Sequence, residues 1–244
     1  MNRRDGRLYN QMREITIQPG YVKHPHGSAL ISFGDTRVLC TVMVEEKVPP
    51  FVQDRKVQQG WMTAEYSLLP AAGTVRNPRA GYGNNQLKGR VYEIQRMIGR
   101  ALRSAVNLKK IGQRTLLIDC DVIQADGGTR TAAITGTMVA LELAVKRLMD
   151  EGKLTENPIE TRVAAISVGI NKGEILLDLD YPEDSTAETD LNLVMTRDMG
   201  IIEIQSTAEE GHFSKVQLDQ MLKLGQEGIE KLFVLQDKAL GIKK

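Results

Sequence analysis

Twice along this chain a group of apolar β runs gives way to a helix, and that order restricts the possible folds more than any other feature. Ala29 to Phe33 and Thr36 to Val44 are β-branched or apolar runs separated by Gly34-Asp35, a hairpin turn. A third short run, Trp61 to Leu69, ends at Pro70. From Arg90 to Val106, the residues Val91, Ile94, Met97, Ile98, Ala101, Leu102 and Ala105 fall on one arc of a helix, with Arg96, Arg100 and Arg103 opposite. Thr115 to Gln124 is a largely apolar strand with Asp119 and Asp121 on one face, and an apolar helix follows from about Thr131 to Met149. The second half repeats the grammar. Strands Val163 to Ile170 and Glu174 to Leu179 flank the turn Asn171-Lys172-Gly173, and strands Leu191 to Thr196 and Ile201 to Gln205 come after them. Ser214 with Gln217 predicts a capping box, and Phe213 with Leu218 a hydrophobic staple, at the start of a last helix. The order specifies an α/β or α+β chain with two βαβα-like halves, residues 1–150 and 158–244. The link from Gly152 to Pro158 is too short for independent domains, so one compact unit is expected.

The net charge of +1 suggests indifference to nucleic acid, but the charges are unevenly placed. Residues 1–130 hold 20 basic and 11 acidic side chains and residues 131–244 hold 12 and 20, so one part carries +9 and the other −8. Such asymmetry points to a polyanionic partner and, separately, to an acidic site. The N-terminus lacks an apolar signal region and no apolar run is long enough to cross a membrane, so an intracellular, cytoplasmic protein is expected. Cys40 and Cys120 lie in apolar runs without CxxC spacing and read as buried hydrophobes. His24, His26 and His212 form no metal-binding array.

Three segments can carry chemistry. In Asp126-Gly127-Gly128-Thr129-Arg130 a strand ends, two glycines let the backbone turn close to a ligand, and a helix begins, its first N–H groups open to an anion. Thr129 can donate a hydroxyl and Arg130 a planar fork; a plain strand-to-helix turn with Thr129 as N-cap accounts for the same residues. Between Arg55 and Arg103 there are nine Lys and Arg and two acids, Glu65 and Glu93. The acid-free loop from Pro70 to Gly89, with Arg76, Arg79 and Lys88, and the Arg96/Arg100/Arg103 stripe beside it read as a surface that tracks phosphates; a solvated helix face is the alternative for the stripe. From Asp178 to Asp190 six carboxylates occur, Asp178, Asp180, Glu183, Asp184, Glu188 and Asp190. They suit a hard-metal site with one carboxyl left for proton transfer, or a polar loop with capping acids.

The runs Ile118 to Thr131, Trp61 to Pro70, Arg90 to Arg100 and Asp184 to Asn192 closely resemble the bacterial ribonuclease PH family, and the resemblance spans essentially the whole chain. It implies an α+β fold like ribosomal protein S5 domain 2. It also implies a phosphorolytic 3′-to-5′ exoribonuclease that trims tRNA precursors and other RNA 3′ ends, releases nucleoside 5′-diphosphates and runs in reverse. Its assembly would be a homohexamer, a trimer of dimers. By motif, the resemblance implies phosphate binding by Arg90, Gly128, Thr129 and Arg130, metal binding (Mg²⁺ or Mn²⁺) and acid catalysis by Asp184 and Asp190, and tRNA contacts from Arg76 and Arg79, with Arg96 and Arg100 adjoining. Leu191 stands where the family commonly has Met. A catalytically silent RNA-binding ring subunit and a hydrolytic two-metal nuclease are the rival readings.

Overall fold

The computed structural model describes residues 3–53, 58–79, 89–209 and 211–242. Its first sheet is built from β1 (Ile15–Pro19), β2 (Gly27–Phe33), β3 (Thr36–Glu45), β4 (Trp61–Leu68) and β5 (Thr115–Gln124), in the order β1-β2-β3-β5-β4. All neighbours are antiparallel except β4 and β5. That parallel pair is possible because α2 (Gly89–Arg103) and the one-turn α3 (Leu108–Ile111) lie between them in the chain. A short α1 (Pro50–Gln53) precedes β4. The turn at Gly34-Asp35 forms as the sequence implies, pairing Phe33 with Thr36.

The second sheet, β6 (Val163–Asn171), β7 (Glu174–Leu177), β8 (Thr189–Thr196) and β9 (Ile201–Ala208), is antiparallel throughout, ordered β7-β6-β8-β9. Here the connecting helix shrinks to one turn, α5 (Tyr181–Asp184). The expected strand to Leu179 stops at Leu177, because Asp178 takes a left-handed φ of 55° and turns its carboxylate onto Arg13.

Between the sheets runs α4 (Thr129–Asp150), in contact with β2 and β3 on one side and β6 on the other. Every residue from Thr131 to Leu141 is buried, which is why its apolar and small residues occur all round rather than on one face. The last helix, α6 (Lys215–Ala239), starts at the expected capping box, and its Gln236 Nε2 donates to Thr135 O of α4 and Val163 O of β6. One apolar cluster runs through both sheets and α4. Cys40 and Cys120 are buried cross-strand neighbours in it, and the Cys40 contact and burial hold the Cys120 thiol well above its ordinary pKa.

Candidate active site

The turn from β5 into α4 is built on two glycines in the left-handed region, Gly127 at φ 76° and Gly128 at φ 67°. A side chain at Gly127 would start 2.6 Å from Leu179 O, so the turn sits directly against the backbone that leads into α5. Gly128, and not Thr129, is the N-cap, and it offers no side chain to the first-turn N–H groups. The Thr129 hydroxyl is free of capping duty and lies 2.7 Å from the Tyr66 hydroxyl on β4. Arg130 donates from Nη1 to Gln205 Oε1 on β9 at 2.7 Å, and Gln205 Nε2 in turn donates to Glu93 on α2.

The acidic stretch divides in two. Asp178, Asp180 and Glu183 point inward and are consumed by buried arginines of the N-terminal segment. Arg3 holds both carboxylate oxygens of Glu183, and Arg13 holds both of Asp178. Asp180 also caps α5, in a reciprocal box with Glu183. Asp184 at the end of α5 and Asp190 on β8 face outward. Together with the exposed Glu188 they line a cleft of about 1250 Å³.

The same cleft is lined by Gly127, Gly128, Thr129, Arg130 and, from the first turn of α2, Arg90. Burial first, and the Asp190 charge second, raise the Asp184 carboxyl above its ordinary pKa, although Arg130, Arg90 and Arg13 oppose this. Burial likewise pushes the Tyr66 hydroxyl up. Cationic and helix-end donors thus share one cleft with two carboxylates. This is an arrangement for an anion beside a proton donor. Among the described residues no group of three or more His, Cys, Asp or Glu could hold a metal ion. Two carboxylates with water and substrate oxygens nevertheless suit Mg²⁺, which keeps much of its hydration shell.

Reading the sequence by residue type missed Tyr66, Gln205 and the buried arginines. Tyr66 and Gln205 reach the cleft from strands distant in sequence, and no local pattern marks them.

The basic surface differs from expectation. Arg76 and Arg79 are exposed, and their neighbours Asn77 and Pro78 line the cleft. Residues 80–88 of the same loop, including Lys88, lie outside the described residues. The arginine stripe on α2 is not a free phosphate track. Arg96 is exposed, but Arg100 makes a two-bond pair with Glu203 at 2.8 and 3.0 Å. Arg103 donates to Met62 O and lies 5.4 Å over the Trp61 ring. The charge asymmetry has the same correction: Arg3, Arg7, Arg13, Arg100 and Lys110 of the basic part pair with acids of the acidic part. Much of the imbalance is resolved inside the molecule.

The profile of the 3′ exoribonuclease family, domain 1, matches residues 11–146, and that of domain 2 of the same family matches residues 161–228. Ribonuclease PH of Syntrophomonas wolfei is 52% identical over 242 residues, covering 99% of this chain and 100% of the relative. Ribonuclease PH of Exiguobacterium sibiricum is 54% identical over 239 residues, 98% of this chain and 94% of the relative. Among solved structures, rice (Oryza sativa) Rrp46 is similar with a TM-score of 0.78 at 21% identity, over 98% of this chain and 100% of that one. A chain of the Archaeoglobus fulgidus exosome with RNA bound to the active site gives a TM-score of 0.78 at 22% identity, over 95% and 91% of the two chains. These last two likenesses concern the fold alone.

Proposed function

The chain belongs to the 3′ exoribonuclease family, in its ribonuclease PH group, and from that premise we propose that it shortens RNA from the 3′ end by phosphorolysis. Inorganic phosphate, held by the start of α4 at Gly128, Thr129 and Arg130 and by Arg90, attacks the last phosphodiester. A bond forms between a phosphate oxygen and the phosphorus, and the bond from phosphorus to the 3′ oxygen of the preceding nucleotide breaks. The products are a nucleoside 5′-diphosphate and an RNA one nucleotide shorter, and the step is reversible. Charge collects on the phosphoryl oxygens, so the two arginines act by positioning and electrostatic stabilisation.

The departing 3′ oxygen needs a proton. Asp184, whose carboxyl keeps its proton to higher pH than an ordinary aspartate, supplies it. Asp190, with Asp184 when ionised, would hold Mg²⁺ or Mn²⁺, which would neutralise developing charge on the phosphoryl group. No histidine or serine nucleophile is required. Arg76 and Arg79, exposed on the segment that reaches the cleft, serve the body of a tRNA precursor. Arg96 adds a further exposed cation, whereas Arg100 reaches RNA only by leaving Glu203. The working assembly is a homohexamer, a trimer of dimers, acting in the cytoplasm. Exposed Ile201 and Ile204 on the edge strand β9 give a second copy apolar surface to cover. Among the described residues no helix is long and apolar enough to cross a membrane.

The observation that carries this reading is the single cleft shared by Arg90, Arg130, Asp184 and Asp190. The test is a short RNA with a free 3′ end, incubated with Mg²⁺, with and without inorganic phosphate. Nucleoside diphosphates that form only when phosphate is present are the expected result. Monophosphates in phosphate-free buffer would mean hydrolysis, and RNA binding with no product would mean a silent subunit.

A further inference from the structure

Arg13 touches both halves of the site without lining the cleft. Its Nε and Nη2 donate to Asp178 Oδ2 and Oδ1 at 3.0 and 2.6 Å, and its backbone N–H donates to Asp178 Oδ2 at 2.8 Å. From the same guanidinium, Nη1 donates to the carbonyl of Asp126 and Nη2 to that of Gly127 at 3.5 Å. Thr36 adds a second donor to the Gly127 carbonyl at 2.7 Å and accepts from the Asp126 N–H at 2.8 Å. The guanidinium stands immediately behind the turn, since a Cβ placed on Gly128 would lie 3.1 Å from its Nη2.

In a trans peptide the carbonyl and the following N–H sit on opposite edges of one plane. Holding the Asp126 carbonyl therefore fixes the direction of the Gly127 N–H, and holding the Gly127 carbonyl fixes that of the Gly128 N–H. Glycines have the freest backbone of any residue, so two in succession have no orientation of their own to offer an anion. A cation hydrogen-bonded to the carbonyls also polarises the peptides and strengthens their N–H groups as donors. Asp178, locked by three bonds from Arg13, is the residue at which the chain leaves β7 for α5, the helix that carries Asp184.

We infer that Arg13, braced by Asp178, is a positioning residue that presets the Gly127-Gly128 turn to receive inorganic phosphate and ties it in register with the Asp184 loop. This inference rests on the phosphorolytic reading. It goes beyond that reading in assigning part of the affinity for phosphate to a side chain that does not touch it.

The test compares Arg13→Lys with the parent and with Arg162→Met. The latter breaks a partly buried ion pair to Asp237, neither residue of which lines the cleft, and controls for lost stability. Lysine keeps the charge but has no fork with which to hold Asp178 and two carbonyls together. Steady-state phosphorolysis of a short RNA is measured as a function of phosphate and of RNA, with thermal melting in parallel. The expected result for Arg13→Lys is a KM for phosphate raised about tenfold or more, with the KM for RNA within about twofold of the parent. Arg162→Met should lower the melting temperature and leave the KM for phosphate where it was. The double variant Arg13→Met/Asp178→Asn removes the stranded buried carboxylate, so it tests the same point if a single variant folds poorly; it too should show the raised KM for phosphate. An unchanged KM for phosphate in the folded Arg13 variants, with only kcat or stability reduced, overturns the inference. A parent enzyme that makes no diphosphates overturns the phosphorolytic reading instead, so the two failures are distinct.

Discussion

Arg130 is held by Gln205: Nη1 of the arginine donates to the Gln205 amide oxygen at 2.7 Å, and Glu93 accepts from the Gln205 amide nitrogen. The contact turns one edge of the fork toward β9 and fixes the plane of the rest. Gln205→Ala should therefore leave Arg130 charged but unaimed. A hydrogen bond to a charged group contributes about 1.5 kcal/mol or more, which corresponds to about tenfold in phosphate affinity. The expected outcome is a KM for phosphate raised by about that factor, with an unchanged melting curve, read by phosphate titration of the phosphorolysis rate. Equal phosphate titrations in parent and variant would show that Arg130 needs no such brace.

Asp184 sets function against stability. Burial and then Asp190 raise its carboxyl pKa in the folded state, so the folded chain binds this proton more tightly than the unfolded chain does. Its contribution to stability is fully present below the ordinary carboxylate pKa and is lost as pH rises through the raised folded value. Asp184→Asn should accordingly melt higher than the parent at pH 7, and the difference should close once pH falls below the ordinary value. In the same variant phosphorolysis should drop by about 10² to 10⁴, the usual contribution of a general acid. Melting curves at several pH values, paired with rates, check both parts. A variant no more stable than the parent at pH 7 would contradict the assigned strain.

The N-terminal arginines form a strap over the acidic loop. Arg3 donates to both Glu183 oxygens and to the carbonyls of Leu177 and Asp178 at 2.7 and 2.9 Å. Burial works to raise the Glu183 carboxyl. The Arg3 hydrogen bond, the Asp180 backbone N–H and the charges of Arg3 and Arg7 outweigh it, and the net pKa is lowered. Arg3→Met should cost about 3 kcal/mol, as for other broken buried pairs, or roughly 6 to 12 °C in melting temperature. A depressed carboxylate stabilises above its unfolded pKa and ceases to do so as pH falls through the folded one. The gap between parent and variant should therefore narrow in acid, which a pH series of melting curves measures.

How far the sequence reveals this architecture depends on whether a signal is local. The hairpin at Gly34-Asp35, the Ser214 capping box and the strand-turn-helix at Gly127-Gly128 are each set by a few adjacent residues, and each forms where the pattern says. Asp178 and Asp184 look alike in sequence, yet one is buried against Arg13 and the other faces the cleft. That difference is made by arginines some 165 residues away in the chain. Charge counting meets the same limit: it registers an excess of cations in the first 130 residues, but not that Arg3, Arg7 and Arg13 are spent holding acids of the second half. Tyr66 and Gln205 are invisible for the same reason, since only the folding of β4 and β9 brings them to Thr129 and Arg130.

Gly127 offers a way to separate backbone strain from lost register between the two halves of the cleft. Its φ of 76° disfavours any side chain, and a Cβ there would also lie 2.6 Å from Leu179 O and 2.9 Å from Tyr181 N. Gly152, at φ 68° beyond the end of α4, has nothing within 4 Å of the same added atom. Alanine at either position incurs the left-handed cost of about 1 to 2 kcal/mol. Only at Gly127 must the phosphate turn and the α5 backbone also move apart. A displacement of the order of 1 Å between reacting groups costs about a hundredfold in rate. Gly127→Ala should therefore lose about two orders of magnitude in phosphate-dependent turnover, while Gly152→Ala loses some stability and keeps its rate. Melting temperature and kcat measured side by side decide it. If the two variants lose stability alike and both retain turnover, the close approach of the phosphate turn to Leu179 is not what aligns Arg130 with Asp184.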